Sequence, residues 1–281
     1  MADAFKPALD RSAATHKYGP WAVIAGGSDG TGEAYARELA AVGVNVMLVA
    51  RRKEVLEALA ADLQAKHGVQ TRVLVQDLMD PDAARNMLQA AADIDVGCYV
   101  SNAGVDGTGA KFFEQPADRW RRMAVMNVQV VTEAIHGFGN RFIKRGRGGI
   151  VIMSSGSGLG GTPYLSMYSA TKGFELLLVE ALWGELEDTN VDIVGCIAPA
   201  MATPFFMKNI AGQDFKLGEG IFTSEAVAHE VLANLGKKPL VMFPTARRDA
   251  PEKVLKARFD ELLKSLEAGK SFFPKGEKVD S

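Results

Sequence analysis

Trp21-Ala-Val-Ile-Ala25 runs directly into Gly26-Gly-Ser28-Asp29-Gly30-Thr31-Gly32, and a helix-forming stretch over 33–41 follows without a break. An unbroken apolar run of five residues fits a strand covered on both faces. Gly26 permits the sharp turn out of that strand. Gly30 lets backbone approach a bound diphosphate, and Gly32 lets the helix pack close to the sheet. The N-terminus of the helix then presents free N–H groups and the positive end of its dipole to anionic oxygens. A glycine cluster alone is common punctuation; its place between a first strand and a first helix makes it a dinucleotide-binding expectation.

Working outward, similar short apolar runs recur at 44–50, 70–75, 96–101, 149–153, 191–197 and 239–243. They are rich in Val and Ile and do not alternate with polar residues. Amphipathic stretches such as 53–66 and 81–92 separate them. Repeated β-α units predict an α/β fold, a Rossmann-type doubly wound parallel sheet of about seven strands in one domain. No Pro/Ser-rich linker or shift in composition divides the chain. The expected organisation is an N-terminal extension over 1–20, a catalytic domain over 21–270 and a tail over 271–281, with both ends loosely attached.

Composition bounds the function. The 281 residues are 47% hydrophobic and 23% charged, ordinary for a folded globular protein. A formal net charge of −2 provides no field that would recruit nucleic acid or an anionic membrane. No stretch approaches the roughly 18 apolar residues that cross a bilayer, so no membrane span is expected. The first twenty residues, with Asp3, Lys6, Asp10, Arg11 and Lys17, do not form a signal peptide, and the expected location is cytoplasmic. Cys98 and Cys196 sit inside apolar runs and read as buried thiols; no metal-ligand spacing is present.

The second strand ends Val49-Ala50-Arg51-Arg52. An acid at this point would bind a ribose 2′-hydroxyl, whereas arginines suit a 2′-phosphate through charge-assisted hydrogen bonds. Two cations at a helix start oppose the helix dipole, so a surface-only role fits them poorly. The expected cofactor is therefore NADP(H). Asp77 and Leu78, past the third strand, and Asn102-Ala103-Gly104, past the fourth, lie at the same carboxyl edge, where ligands bind in such sheets. Asp77 is read either as an adenine contact or as a helix cap.

The fifth strand leads into Ser154-Ser155-Gly156-Ser157, and Tyr168-Ser-Ala-Thr-Lys172 follows. Tyr and Lys four residues apart share a helix face. A free tyrosine has a pKa of about 10, and a cation beside it stabilises the phenolate, as acid–base chemistry near neutrality requires. Such a pair also arises by chance. Its position after the Gly-rich turn, the Asn-Ala-Gly turn and the serine-bearing strand end gives it weight.

Taken in that order, the motifs over 21–243 resemble the single-domain short-chain dehydrogenase/reductase family. The resemblance places the family's glycine motif on Gly26, Gly30 and Gly32, and its catalytic residues on Asn127, Ser155, Tyr168 and Lys172. Tyr18-Gly-Pro-Trp-Ala-Val, Ser28-Asp-Gly-Thr-Gly-Glu-Ala-Tyr35 and Asn45-Val-Met-Leu-Val-Ala-Arg51 are similar to the branch of 17β-hydroxysteroid dehydrogenases and 3-ketoacyl reductases. The departures are Ala25 for a threonine, Thr31 for an isoleucine, Ser101 for an asparagine and Ala200 for a glycine; Ala25 and Ser101 bear on the cofactor's hydrogen bonds.

The resemblance implies reduction of a carbonyl by hydride from NADPH. Ser155 would bind the carbonyl oxygen, Tyr168 would donate the proton, and Lys172 would hold the nicotinamide ribose. Asn127 would mark a helix irregularity that holds a water. Pro199 and Thr203 would line the nicotinamide end. Ser157, Tyr164, Met201, Phe205 and Phe206 would wall a pocket for a lipophilic ketone: a steroid, a ketoacyl thioester or an aromatic ketone. Other readings are an alcohol dehydrogenase working in oxidation and a non-catalytic NADP sensor; the sensor fits poorly with an intact Tyr168 and Lys172. The expected partner is the chain itself, as a homodimer or homotetramer through helices near 118–145 and 164–187, with Ala124, Val128, Val131, Ala181 and Leu182 at the contact.

Overall fold

The computed structural model describes residues 6–104, 109–201, 221–244 and 251–272. Its centre is a parallel sheet of seven strands in the order β3-β2-β1-β4-β5-β6-β9. The strands are β1 (Trp21–Ala25), β2 (Asn45–Ala50), β3 (Thr71–Val75), β4 (Val96–Ser101), β5 (Gly148–Met153), β6 (Val191–Ile197) and β9 (Leu240–Met242). A two-stranded ladder, β7 (Ala200–Met201) with β8 (Ile221–Phe222), was not expected from the sequence. All seven expected strands are present, with ends shifted by no more than one residue. Strand order reverses at β1, which pairs with β2 on one side and β4 on the other. That reversal opens the crevice in which α/β sheets bind ligands.

Continuous apolar strands cover both faces, and the two-residue period of the pleat sorts their side chains. Ala22, Ile24, Val46, Leu48, Cys98, Val100, Val151, Val194 and Cys196 enter one core with α2 (Gly30–Ala41) and α3 (Lys53–His67). Trp21, Val23, Met47, Val49, Tyr99, Ile150, Ile152 and Ile193 enter the other, with α4 (Ala83–Ala90), α6 (Val130–Arg145) and α7 (Ser166–Glu185). Truncating a fully buried side chain such as Leu48 to alanine would cost about 2–5 kcal/mol. α8 (Ser224–Asn234) completes the first layer, and α9 (Pro251–Phe272) runs past the expected domain boundary at residue 270.

Two expectations are corrected. The leading segment is not loosely attached over the described residues. α1 (Arg11–Lys17) buries Ala14, and Tyr18 donates to Asp192 at 2.6 Å beside the Lys17–Asp192 ion pair. Val131 is also not available for a contact between copies, because it is 2% exposed and packs on the sheet. The large apolar residue that α7 exposes is Leu177, at 65%, and the expected contact residue Ala181 is exposed as well.

The expected helix near 118–145 is interrupted. α5 (Ala117–Ala124) and α6 flank a π-helical turn at Val125–Gln129, where Val130 N–H donates to the Val125 carbonyl, five residues back. Asn127 lies inside this turn and is fully buried. Such single turns are frequent where a helix serves a site.

Candidate active site

The glycine turn is shaped by close approach. Gly26 has φ +87°, in the region that disfavours side chains, and a Cβ there would lie 2.8 Å from the Ala103 nitrogen. A Cβ on Gly32 would lie 2.0 Å from the Gly26 carbonyl oxygen, so only glycine lets α2 start so near β1. Asn102 donates from Nδ2 to the Gly26 carbonyl at 3.1 Å, and Asn102 and Ala103 N–H both donate to the Ala25 carbonyl at 3.0 Å. The Gly-rich and Asn-Ala-Gly turns are thus one hydrogen-bonded unit at the ends of β1 and β4. Ala25 needs no side-chain hydroxyl for this link, because its backbone supplies it.

At the end of β2, Arg51 and Arg52 are exposed. Arg52 donates to Asp29 and, at 3.0 Å, to the Ser28 hydroxyl, linking the end of β2 to the glycine turn. The sequence predicts Ser28, Asp29 and Arg52 as cofactor residues, and the structure brings the three together. Asp77 accepts from Met79 N–H at 3.0 Å and lies 3.6 Å from Arg122, while Leu78 is buried. The helix-cap alternative for Asp77 is not realised, since Asp82 occupies the cap of α4.

The chemical end is more tightly built. Ser154 donates to the Lys172 carbonyl at 2.7 Å, which ties the end of β5 to α7. Ser155 caps the short 3₁₀ turn Gly156–Leu159 by accepting from Ser157 N–H at 3.2 Å. Lys172 Nζ lies 5.8 Å from the centre of the Tyr168 ring. A Cβ at Gly104 would meet Lys172 Nζ at 2.7 Å and Asn127 Oδ1 at 2.8 Å, so ammonium and amide flank one point beside the Asn-Ala-Gly turn. Asn127 Nδ2 donates to Thr171 at 3.0 Å, and its Oδ1 has no hydrogen-bond partner among the described residues.

Two of the expected wall residues, Tyr164 and Met201, lie outside α7. Tyr164 precedes α7 with φ +67°, where Leu165 N–H closes a turn onto Thr162, and its carbonyl accepts from Ala110 N–H at 2.7 Å. A left-handed non-glycine residue costs roughly 1–2 kcal/mol. The residue is 59% exposed. Met201 turns its sulfur to the Thr31 hydroxyl at 3.1 Å, towards the glycine turn. Pro199 is half-buried beside it. Thr203, Phe205 and Phe206 lie outside the described residues.

The sequence reading missed Glu175. It accepts from Lys172 Nζ at 3.0 and 2.9 Å and is 1% exposed. Burial pushes its carboxyl up to about 7 against the pull of the ammonium. A glutamate beside the apolar run Leu176-Leu-Leu-Val179, three residues after a lysine, was the available signal. Among the described residues no group of three His, Cys, Asp or Glu could hold a metal ion, and no helix is long and apolar enough to cross a membrane.

Comparison with known proteins agrees with this geometry. The sequence pattern of the short chain dehydrogenase family matches residues 20–214. A 7beta-hydroxysteroid dehydrogenase of Clostridium sardiniense is 33% identical over 222 residues, which are 79% of this chain and 84% of that protein. A solved 7beta-hydroxysteroid dehydrogenase superposes with a TM-score of 0.77 at 28% identity, covering 90% of this chain and 98% of the other. A short-chain dehydrogenase from Sphingobium yanoikuyae, solved in complex with NADPH, gives 0.73 at 27% identity over 93% and 99% of the two chains. The chain therefore belongs to the short-chain dehydrogenase family, and is an oxidoreductase of that family's hydroxysteroid dehydrogenase branch.

Proposed function

We propose that this oxidoreductase uses NADP(H) to reduce the carbonyl of an apolar substrate, a steroid ketone first among the candidates. The convergence of Lys172, Tyr168 and Asn127 beside the Asn-Ala-Gly turn carries the reading. The 7beta-hydroxysteroid dehydrogenase relatives support the substrate class, and the NADPH complex of a structural neighbour supports the cofactor.

The residues present fit an extended dinucleotide. Gly26, Gly30, Thr31 and Gly32 would hold the diphosphate at the start of α2. Ser28, Arg51 and Arg52 would take the 2′-phosphate, with Asp77 and Leu78 beside the adenine and Asn102–Gly104 under the central part. Pro199 and Thr203 would border the nicotinamide, which supplies the hydride when bound. Ser155 donates a hydrogen bond to the substrate oxygen and strengthens it as negative charge develops there. Tyr168 gives its hydroxyl proton to that oxygen. Lys172 holds positive charge beside the phenol and Asn127 steadies the adjoining turn. The exposed Tyr164 would form one wall of the substrate pocket, and Ser157, Phe205 and Phe206 would be further wall residues. The expected partner is a second copy of the chain, with Leu177 on the face of α7 that it would cover.

The test is a fluorescence titration with NADPH and with NADH, followed by a turnover screen on lipophilic ketones. Preferential NADPH binding, with 7-oxosteroid reduction abolished in Tyr168→Phe, supports the reading. A preference for NADH, or turnover confined to alcohols, would overturn it in favour of an oxidising dehydrogenase.

A further inference from the structure

Lys172 is 1% exposed, yet its ammonium is fully provided for without any ligand. An ammonium has three N–H donors. Here the acceptors are the Met153 carbonyl at 2.7 Å and the two Glu175 oxygens at 3.0 and 2.9 Å. Ser154 holds the same lysine by its backbone carbonyl. Both ends of the residue are therefore fixed from β5 and α7. The carboxylate is as buried as the ammonium, with both side chains 2% exposed.

We propose that Glu175 is the positioning residue of the proton-transfer site, holding the Lys172 ammonium in one place and supplying its counter-charge in the core beside Tyr168. The inference rests on the reductase reading above, because it assigns Lys172 a part in the reaction. The physical ground is that a buried cation without an opposite charge tends to lose its proton, whereas a carboxylate at hydrogen-bond distance reverses that preference. A lysine stem has four carbons and many rotamers, so a two-oxygen acceptor also removes positional freedom. Glutamine can accept only through one oxygen and brings no charge.

Other titratable groups face this pair. Tyr168 lies one turn back on α7. Tyr99 approaches from β4 and feels the Glu175 charge, and Cys196 approaches from β6 and feels Lys172. Burial pushes the Tyr99 hydroxyl and the Cys196 thiol well above their ordinary ranges, so neither changes charge in an assay near neutral pH. Asn127, from the π-helical turn, is neutral throughout. Glu175, raised to about 7, titrates inside the assay range.

A protonated glutamate resembles glutamine in shape and charge, which sets the test. The ratio of wild-type to Glu175→Gln turnover with NADPH and a 7-oxosteroid is measured across neutral pH, with Glu175→Asp alongside. The expected ratio is near unity on the acid side and rises through about pH 7 to at least about tenfold, the size of one charge-assisted hydrogen bond. KM for the ketone should stay within about twofold, since uniform binding is untouched. Glu175→Asp keeps the charge in the core but shortens its reach, so turnover should fall part of the way and its pH profile should persist. A ratio that does not change with pH, or an Asp variant with wild-type turnover, would overturn the role of Glu175 and leave the reductase reading standing. If the Gln variant does not fold, the Asp variant decides alone. Wild type that binds NADPH but reduces no ketone fails the substrate reading instead. The NADPH dissociation constants of the same variants, which need no turnover, then decide Glu175: a pH-dependent ratio supports it and a flat one sinks it.

Discussion

Lys172 and Arg52 are both cations at the carboxyl edge of one sheet, and they are held in opposite ways. The lysine is buried, and every donor on its ammonium has a protein acceptor within 3.0 Å. The arginine has 52% of its side chain exposed and leans on Asp29, itself 38% exposed. A buried pair is costly to break, because the surviving charge stays out of water. An exposed pair contributes little and exchanges partners readily. On the proposed reading, proton handling is built into the core, while the choice of cofactor is left to side chains that a competing anion can recruit.

This contrast can be broken most forcefully at Lys172. Lys172→Met leaves the Glu175 carboxyl and the Met153 carbonyl without their donor. Turnover should fall at least about a hundredfold, and stability should fall with it by about 3–5 kcal/mol as measured by urea unfolding. Loss of activity with no loss of stability would mean that the core end is not wired as described. Next in size is Arg51→Ala combined with Arg52→Ala. NADPH affinity should drop about tenfold or more, with stability unchanged within about 0.5 kcal/mol, as for other surface changes. A large stability loss would erase the distinction between the two ends. Asp29→Asn is smaller and opposite in sign: freeing Arg52 from its carboxylate should tighten NADPH binding a few-fold, about what an exposed pair is worth. Weaker binding would show that Asp29 itself holds the cofactor.

The subtlest outcome is a slope. Glu175 has an ordinary pKa of 4.5 when exposed and is raised to about 7 in the folded chain. The folded state therefore binds more protons than the unfolded state between these values. Its contribution to stability is fully present below 4.5 and is lost as pH rises through 7. Unfolding free energies measured across this window should show that decline in wild type and lack it in Glu175→Gln. An identical slope in both would assign the decline to other groups.

Much of the fold was legible because its strands are buried on both faces, which leaves unbroken Val- and Ile-rich runs in the sequence. The glycine and Asn-Ala-Gly turns were legible because close backbone approach admits little else, as the 2.0 Å clearance at Gly32 shows. What stayed hidden depends on partners distant in sequence or on geometry without a periodic signal. The burial of α1 depends on Asp192, 174 residues from Tyr18. The β7·β8 ladder is two residues long on each side. The left-handed Tyr164 had no glycine to announce it. Glu175 looked like one more charge on a helix, and only the location of Lys172 in the core shows that it is enclosed.

The π-helical turn at Val125–Gln129 also sets a rule of spacing. Each residue of a helix advances the side-chain direction by about 100°. The extra residue in this turn therefore fixes the angular phase of α6 relative to α5. Val130, Val131, Ala134, Ile135 and Phe138 reach the sheet only because of that offset. Substitution within the turn alters one side chain, but deletion of a single residue would rotate a whole helix and expose its apolar face. Chain length between Trp120 and Phe138 is consequently a harder constraint than residue identity there, and a one-residue deletion should be far more damaging than any surface replacement along the same stretch.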